Sequence, residues 1–199
     1  VRLPRARPVD PSVLGGGPPA VTTIHGGGDP DHRLDITFVG DGFTEEELGD
    51  YADRVAALTA ALLAEPPFDR YAPAISIHRV DVVSPESGVD HDPEFGILRD
   101  TALDMGFWCA GIERLLCVDT AKARLFAGLA PGRDLVIAVA NSATYGGAGY
   151  EDLATVPGAN GLAGELLLHE LGHALADLGD EYELEGSYDG PEPAPRNVS

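Results

Sequence analysis

The chain has 199 residues, 44% of them hydrophobic, which suits one domain of ordinary size with a substantial core. Its 33 acidic residues against 13 basic ones give a formal charge of -20. That balance excludes nucleic acid and anionic membrane surfaces as partners, because their phosphates would be repelled. No apolar run reaches the roughly 20 residues needed to cross a bilayer, and no D-x-D-x-D-G calcium loop occurs. The sequence has neither an initiator Met nor a signal peptide, and it reads as a mature or excised segment.

Residues 1–20 are rich in Pro, Gly and Arg and read as an extended arm or linker. Residues 21–24 form a short strand, and His25 begins a glycine-rich turn, where a solvated histidine is the expectation. Leu34–Val39 is a core strand that runs into Gly40-Asp41-Gly42, a tight strand-to-helix turn. Thr44 and Glu47 have capping-box spacing, and the helix they open runs to about Ala64. Tyr51, Val55, Leu58 and Leu62 lie on one face of that helix, and Pro66 and Pro67 stop it. The three glutamates of its first turn argue against an anion at the glycine turn.

Ala74–Val83 alternates as a strand. A long loop follows, in which His91 sits between Asp90 and Asp92; the loop's polarity favours a solvated turn over a ligand site. Ile112–Phe126 has apolar residues at helical spacing and is expected as a helix. Cys109 and Cys117 are the only cysteines. On a continuous helix they would stand about 12 Å apart, too far to bond. A disulfide between them therefore requires a break, with Gly111 the natural place, and would suit an extracellular protein. Asp134–Ala140 is a buried strand. The glycine-rich stretch 141–161 follows. Its small residues permit close backbone approach, so Tyr145, Gly146 and Gly147 are candidates for binding substrate along a sheet edge, and Tyr145 and Tyr150 for pocket or oxyanion groups.

The stretch Leu162–Tyr182 carries the chemistry. His169-Glu170-Leu171-Gly172-His173 is an H-E-x-x-H motif. Two histidines four residues apart on a helix project from one face and can share a metal. Glu170 then stands beside a water on that metal and can take its proton as it attacks a carbonyl. Leucines surround the histidine face, as in a helix buried in a core, with Asn160 placed to cap its start and Gly179 to end it in a left-handed conformation. The plain alternative is a buried helix with two hydrogen-bonded histidines. A zinc site needs a third protein ligand. Asp177 lies a turn too far along the helix and is read as orienting a neighbour. Asp180 is favoured because the chain can turn back after Gly179; Glu181 is second. Tyr182 is assigned to the catalytic group, stabilising an oxyanion or orienting a ligand, against simple packing. The tail, residues 183–199, is acidic and then Pro-rich.

Several stretches together resemble the IgA-peptidase-like bacterial metallopeptidases. They are ITFVGDGFT (36–44), PPF (66–68), HRVDVVSPESGVD (78–90), DLVIAVANSATYGGAG (134–149) and HELGHALADLGDEY (169–182). The resemblance implies a secreted zinc endopeptidase with a zincin-like α/β domain. It implies His169, His173 and Asp180 as Zn2+ ligands and Glu170 as the base. Ala176 and Gly179 stand where the metzincin pattern has its glycine and third ligand, so that template does not apply.

The expected architecture is α/β, a mixed sheet with the H-E-x-x-H helix packed on one face. The expected organisation is an arm over residues 1–20, a catalytic domain over 21–182 and a tail over 183–199. The expected partner is a protein or peptide substrate, with no nucleic acid, no membrane and a monomeric chain. The competing functions are a zinc-dependent amidase on cell-wall peptides and a non-catalytic metal-containing binding module. Retention of Glu170 speaks against the second, since a structural metal needs no base.

Overall fold

Alternation along the central strands sets the layers. In β2 (Leu34–Asp41), Ile36 and Phe38 join one apolar cluster and Val39 joins the other. In β4 (Leu135–Ala140), Leu135, Ile137 and Val139 face the first cluster, while Val136, Ala138 and Ala140 face the second. Strands buried on both faces read as continuous apolar runs, as these do. A computed structural model describes residues 19–179 and places these strands in a six-stranded sheet. The others are β1 (Ala20–His25), β3 (Ile75–Asp81), β5 (Ala148–Gly149) and β6 (Leu153–Pro157). Their order is β1-β3-β2-β4-β6-β5. The four inner strands are parallel, and β1 and β5 run antiparallel at the two edges.

The first apolar cluster packs α1 (Leu48–Ala64) and α4 (Ala163–Ala176) against one face of the sheet. The second packs the segment 82–118 and α3 (Thr120–Ala127) against the other. A four-residue helix, α2 (Phe68–Tyr71), follows the Pro66-Pro67 stop. The expected mixed sheet with the motif helix on one face is therefore present as an α/β architecture. Among the described residues no helix is long and apolar enough to cross a membrane.

The Thr44 box forms as the spacing predicts. The Thr44 N–H and hydroxyl both donate to the Glu47 carboxylate, at 2.9 and 3.0 Å. The preceding turn needs its glycine: Gly42 has φ +72, and a Cβ there would sit 2.1 Å from the Gly88 carbonyl oxygen. Asp41, wholly buried, ties the second layer to this turn. Its carboxylate accepts from the Leu103 and Met105 N–H groups, both at 2.8 Å, and from the hydroxyls of Thr101 (2.9 Å) and Ser84 (3.1 Å). Burial pushes its carboxyl up, and these four donors pull against that shift.

The helix expected over Ile112–Phe126 is a correction. Helix occupies only Thr120–Ala127, where the Asp119 side chain caps the Ala121 and Lys122 N–H groups. The stretch before it is extended, because Leu115 bridges to Gly147 and Cys117 bridges to Gly106. Cys109 and Cys117 are joined, with Cα atoms 6.0 Å apart, and the chain turns between them at Ala110 (φ 51) and Gly111 (φ 79). A break at Gly111 is what the spacing requires of a disulfide.

Candidate active site

The site lies where α4 crosses beneath the short edge strand β5. Two glycines let the strand lie on the helix. A Cβ at Gly147 would stand 2.7 Å from Glu170 Oε1, and one at Gly149 would stand 2.7 Å from His173 Cβ. Gly146 is equally constrained, since a Cβ there would fall 2.2 Å from the Arg114 carbonyl oxygen. The glycines of this stretch thus answer to close packing on both sides, as close backbone approach demands.

On α4, His169 and His173 present one face. Their Nε2 atoms are 3.2 Å apart, and the rings stand nearly perpendicular, at 88°. The ligand atoms of His169, Glu170 and His173 all lie within 4.8 Å of one another. Nδ1 of His173 is 2.6 Å from the Leu178 carbonyl oxygen. A carbonyl only accepts, so Nδ1 carries the hydrogen and Nε2 keeps its lone pair toward the site. His169 is exposed, His173 half-buried and Glu170 8% exposed, a gradient from solvent to core across one helical turn.

The helix ends differently from expectation. Asp177, not Gly179, takes the left-handed conformation, at φ 53. Its N–H turns back to the Gly172 and His173 carbonyls, and the Leu178 N–H reaches the Gly172 carbonyl. Asp tolerates this conformation better than most side chains do. The reversal is what brings the Leu178 carbonyl onto His173. Asn160 caps the turn leading into α4, accepting from the Leu162 N–H at 2.8 Å. Asp180, Glu181 and Tyr182 lie outside the described residues, as do most of the N-terminal arm and the C-terminal tail.

A cleft of about 270 Å³ opens beside Glu170. Tyr145, Gly146 and Gly147 line one wall, and Leu162, Glu165, Leu166 and His169 line another. The three substrate-binding candidates are therefore together at the cleft. What Gly147 offers is room rather than a free edge: its N–H donates to the Arg114 carbonyl and its carbonyl accepts from the Leu116 N–H. Tyr145 is 52% exposed at the rim. Tyr150 is half-buried; burial pushes its phenol up, and the charge of Glu170 adds to the shift, so it stays protonated at neutral pH.

Two histidines and a carboxylate on one helix, facing a cleft beneath a sheet edge, are the donor set and setting of a metal-dependent hydrolase. The family described as IgA Peptidase M64 matches residues 22–199. The chain belongs to that family. Peptidase M64 is a family of metallopeptidases, and the His169, Glu170 and His173 cluster is the group among the described residues of this M64 chain able to hold a metal ion. No curated protein sequence matches the chain.

Other candidates from the sequence fall elsewhere. His25 donates through Nε2 to the Ala72 carbonyl, 2.9 Å away. His91 accepts from the Gly96 N–H at 3.0 Å and stacks on Phe95, outside the metal cluster. Sequence reasoning passed over Arg114, Leu162, Glu165 and Leu166. Leu162, at the N-cap of α4, and Glu165 and Leu166 within it follow from the helix itself, two turns and one turn before His169. Arg114 had no local signal except its place inside the Cys109–Cys117 loop.

Proposed function

We propose that this M64 chain is a secreted zinc-dependent endopeptidase that cuts peptide bonds with Glu170 as general base. The observation that carries the reading is the 3.2 Å approach of the two Nε2 atoms, with the His173 ring oriented by the Leu178 carbonyl at Nδ1. Two nitrogens each about 2.05 Å from a tetrahedral zinc would stand about 3.3 Å apart, so the pair fits that ion. Neutral imidazoles and a carboxylate also match zinc's preference for nitrogen and oxygen donors. His169 and His173 would hold the metal, with Asp180 as third ligand and Glu181 as its rival. When bound, zinc supplies Lewis acidity, polarising the scissile carbonyl and lowering the pKa of a water to about 7.

The chain's own residues do the rest. The Leu178 carbonyl fixes the His173 ring. Glu170, backed by the close wall at Gly147, receives the proton of the attacking water and passes it to the departing amine as the C–N bond breaks. Tyr145, Gly146 and Gly147 give the substrate backbone room to pass, and Tyr182 stabilises the oxyanion.

The test is digestion of a mixed peptide library by zinc-loaded protein, read by mass spectrometry with and without a chelator. Internal cuts that vanish with chelator and return with zinc are expected. Glu170→Gln should keep bound metal and lose at least about 10²-fold in kcat. Turnover by that variant at the wild-type rate would refute the mechanism.

A further inference from the structure

One carboxylate at the cleft is idle in peptide-bond hydrolysis. Glu165 lines the opening with Tyr145, Leu162 and His169. It lies in the first turn of α4, four residues before His169, so the two share a helix face about 6 Å apart along the axis. Glu165 is exposed, and among the described residues its carboxylate has no hydrogen-bond or ion-pair partner. It also stands outside the group formed by His169, Glu170 and His173, so a metal held by that group leaves it unused.

The surroundings decide what such a group can hold. Arg114 is the one Arg or Lys among the described lining residues. Its carbonyl lies beside Gly146 and Gly147, and the residue is already engaged elsewhere. Leu162 and Tyr145 flank the opening as large exposed side chains, and Leu166 backs it from the core. Lys and Arg have the complementary build, an apolar stem that ends in a cation. The stem can lie along the leucines while the charged head meets the Glu165 carboxylate, and the Tyr145 ring offers a cation a second favourable contact. The formal charge of -20 adds a field that draws a basic peptide toward the chain. An acidic peptide is repelled by both. Because α4 also carries His169 and Glu170, the root of Glu165 is fixed relative to the reacting groups.

We propose that Glu165 is a specificity-determining residue that binds a Lys or Arg side chain of the substrate peptide at a fixed position relative to the bond cut. The proposal rests on the peptidase reading above. Glu165 takes no part in the proton transfer: it selects which peptide is presented to Glu170, and it disfavours a peptide with a carboxylate at that position.

Two arms test it. In the first, zinc-loaded wild type, Glu165→Gln and Glu165→Asp digest N-acetylated, C-amidated peptides that differ only in carrying Lys, Arg, norleucine or Glu at one scanned position. Blocked ends leave the side chain alone to set the charge. Wild type should favour Lys and Arg at one position. Glu165→Gln should lower kcat/KM for those peptides about 5–20-fold, mainly through KM, and change the norleucine peptide by no more than about twofold; Glu165→Asp should recover part of the loss. Equal cutting of basic and norleucine peptides by wild type, or an equal loss on both in Glu165→Gln, overturns the proposal. So does loss of bound zinc in Glu165→Gln, which would make the residue part of the metal site. In the second arm, the Lys and norleucine peptides are titrated calorimetrically into Glu170→Gln protein with and without Glu165→Gln. Tighter binding of the Lys peptide that depends on Glu165 supports the proposal even if wild type cuts nothing, which would refute the peptidase reading alone. Identical affinities for the two peptides overturn it.

Discussion

Asp41 and Glu170 are both buried carboxylates, and their surroundings differ in kind. Asp41 ends β2, and four donors from the 84–105 layer converge on it: two backbone N–H groups and two hydroxyls. Glu170 sits on α4 with two histidines beside it, a glycine wall against Oε1 and a cleft in front. The first carboxylate organises protein around itself. The second is embraced by residues chosen for what they leave vacant, since glycine is the one side chain that fits beside it. The difference teaches how to read a buried acid: convergent N–H groups from the chain itself mark scaffold, and a glycine-lined approach from a cleft marks the group we propose to react.

Breaking the scaffold side should give the largest effect on stability. Asp41→Ala strands two buried N–H groups and two hydroxyls. It should lower the unfolding free energy by about 3–5 kcal/mol, read as a shifted denaturant midpoint, while activity per folded molecule holds. The cleft side breaks in the opposite sense. Gly147→Ala places a methyl 2.7 Å from Glu170 Oε1 and must displace that carboxylate. A displacement of this kind should cost about 10–100-fold in kcat, with a much smaller change in thermal midpoint than Asp41→Ala produces. Loss of stability without loss of turnover per folded molecule in Gly147→Ala would erase the distinction.

The smallest effect sharpens the scaffold side. Burial alone would raise the Glu47 carboxyl, but hydrogen bonds from the Thr44 N–H, the Ser87 hydroxyl, the Thr44 hydroxyl and the Asn141 amide outweigh it and hold the group below the usual glutamate range. A carboxyl depressed on folding contributes stability above its unfolded pKa of about 4.3 and loses it as pH falls through the folded value. The wild-type chain should therefore lose part of its stability on acidification below about pH 5. Glu47→Gln should flatten that part of the pH–stability curve and lower stability slightly at pH 7.

Much of this was legible in the sequence where a local rule and the tertiary fold agree. LDITFV and DLVIAVA read as strands because both faces of the sheet are covered, so their alternate residues find separate cores. Thr44 and Glu47 announced their box, and a disulfide at the cysteine spacing required a chain break, which Ala110 and Gly111 supply. H-E-x-x-H brought its three groups together because helix geometry alone does so. The failures came where distant partners decide. Ile112, Leu115 and Leu116 have helical spacing, yet Leu116 is drawn fully into the second core and Leu115 pairs with Gly147. Nothing within a dozen residues of Arg114 reveals that its neighbour across the loop is the glycine facing Glu170. The helix stop fell at Asp177 instead of Gly179, because the bonds from residues 177 and 178 to Gly172 and His173 close the turn early. The third-ligand candidates, Asp180 and Glu181, and Tyr182 lie outside the described residues.

The pairing of β2 with β4 has a kinetic side. Ile36 sits in register with Leu135, and the Asn141 amide reaches the Gly42 carbonyl across 99 residues of sequence. Parallel pairing over such a distance must close a long loop before any contact rewards it, so it is slow. Strands β6 and β5, and the wall that β5 lays against α4, are built outward from β4. The meeting of the two central strands is therefore expected to set the pace at which the sheet beside the cleft is completed.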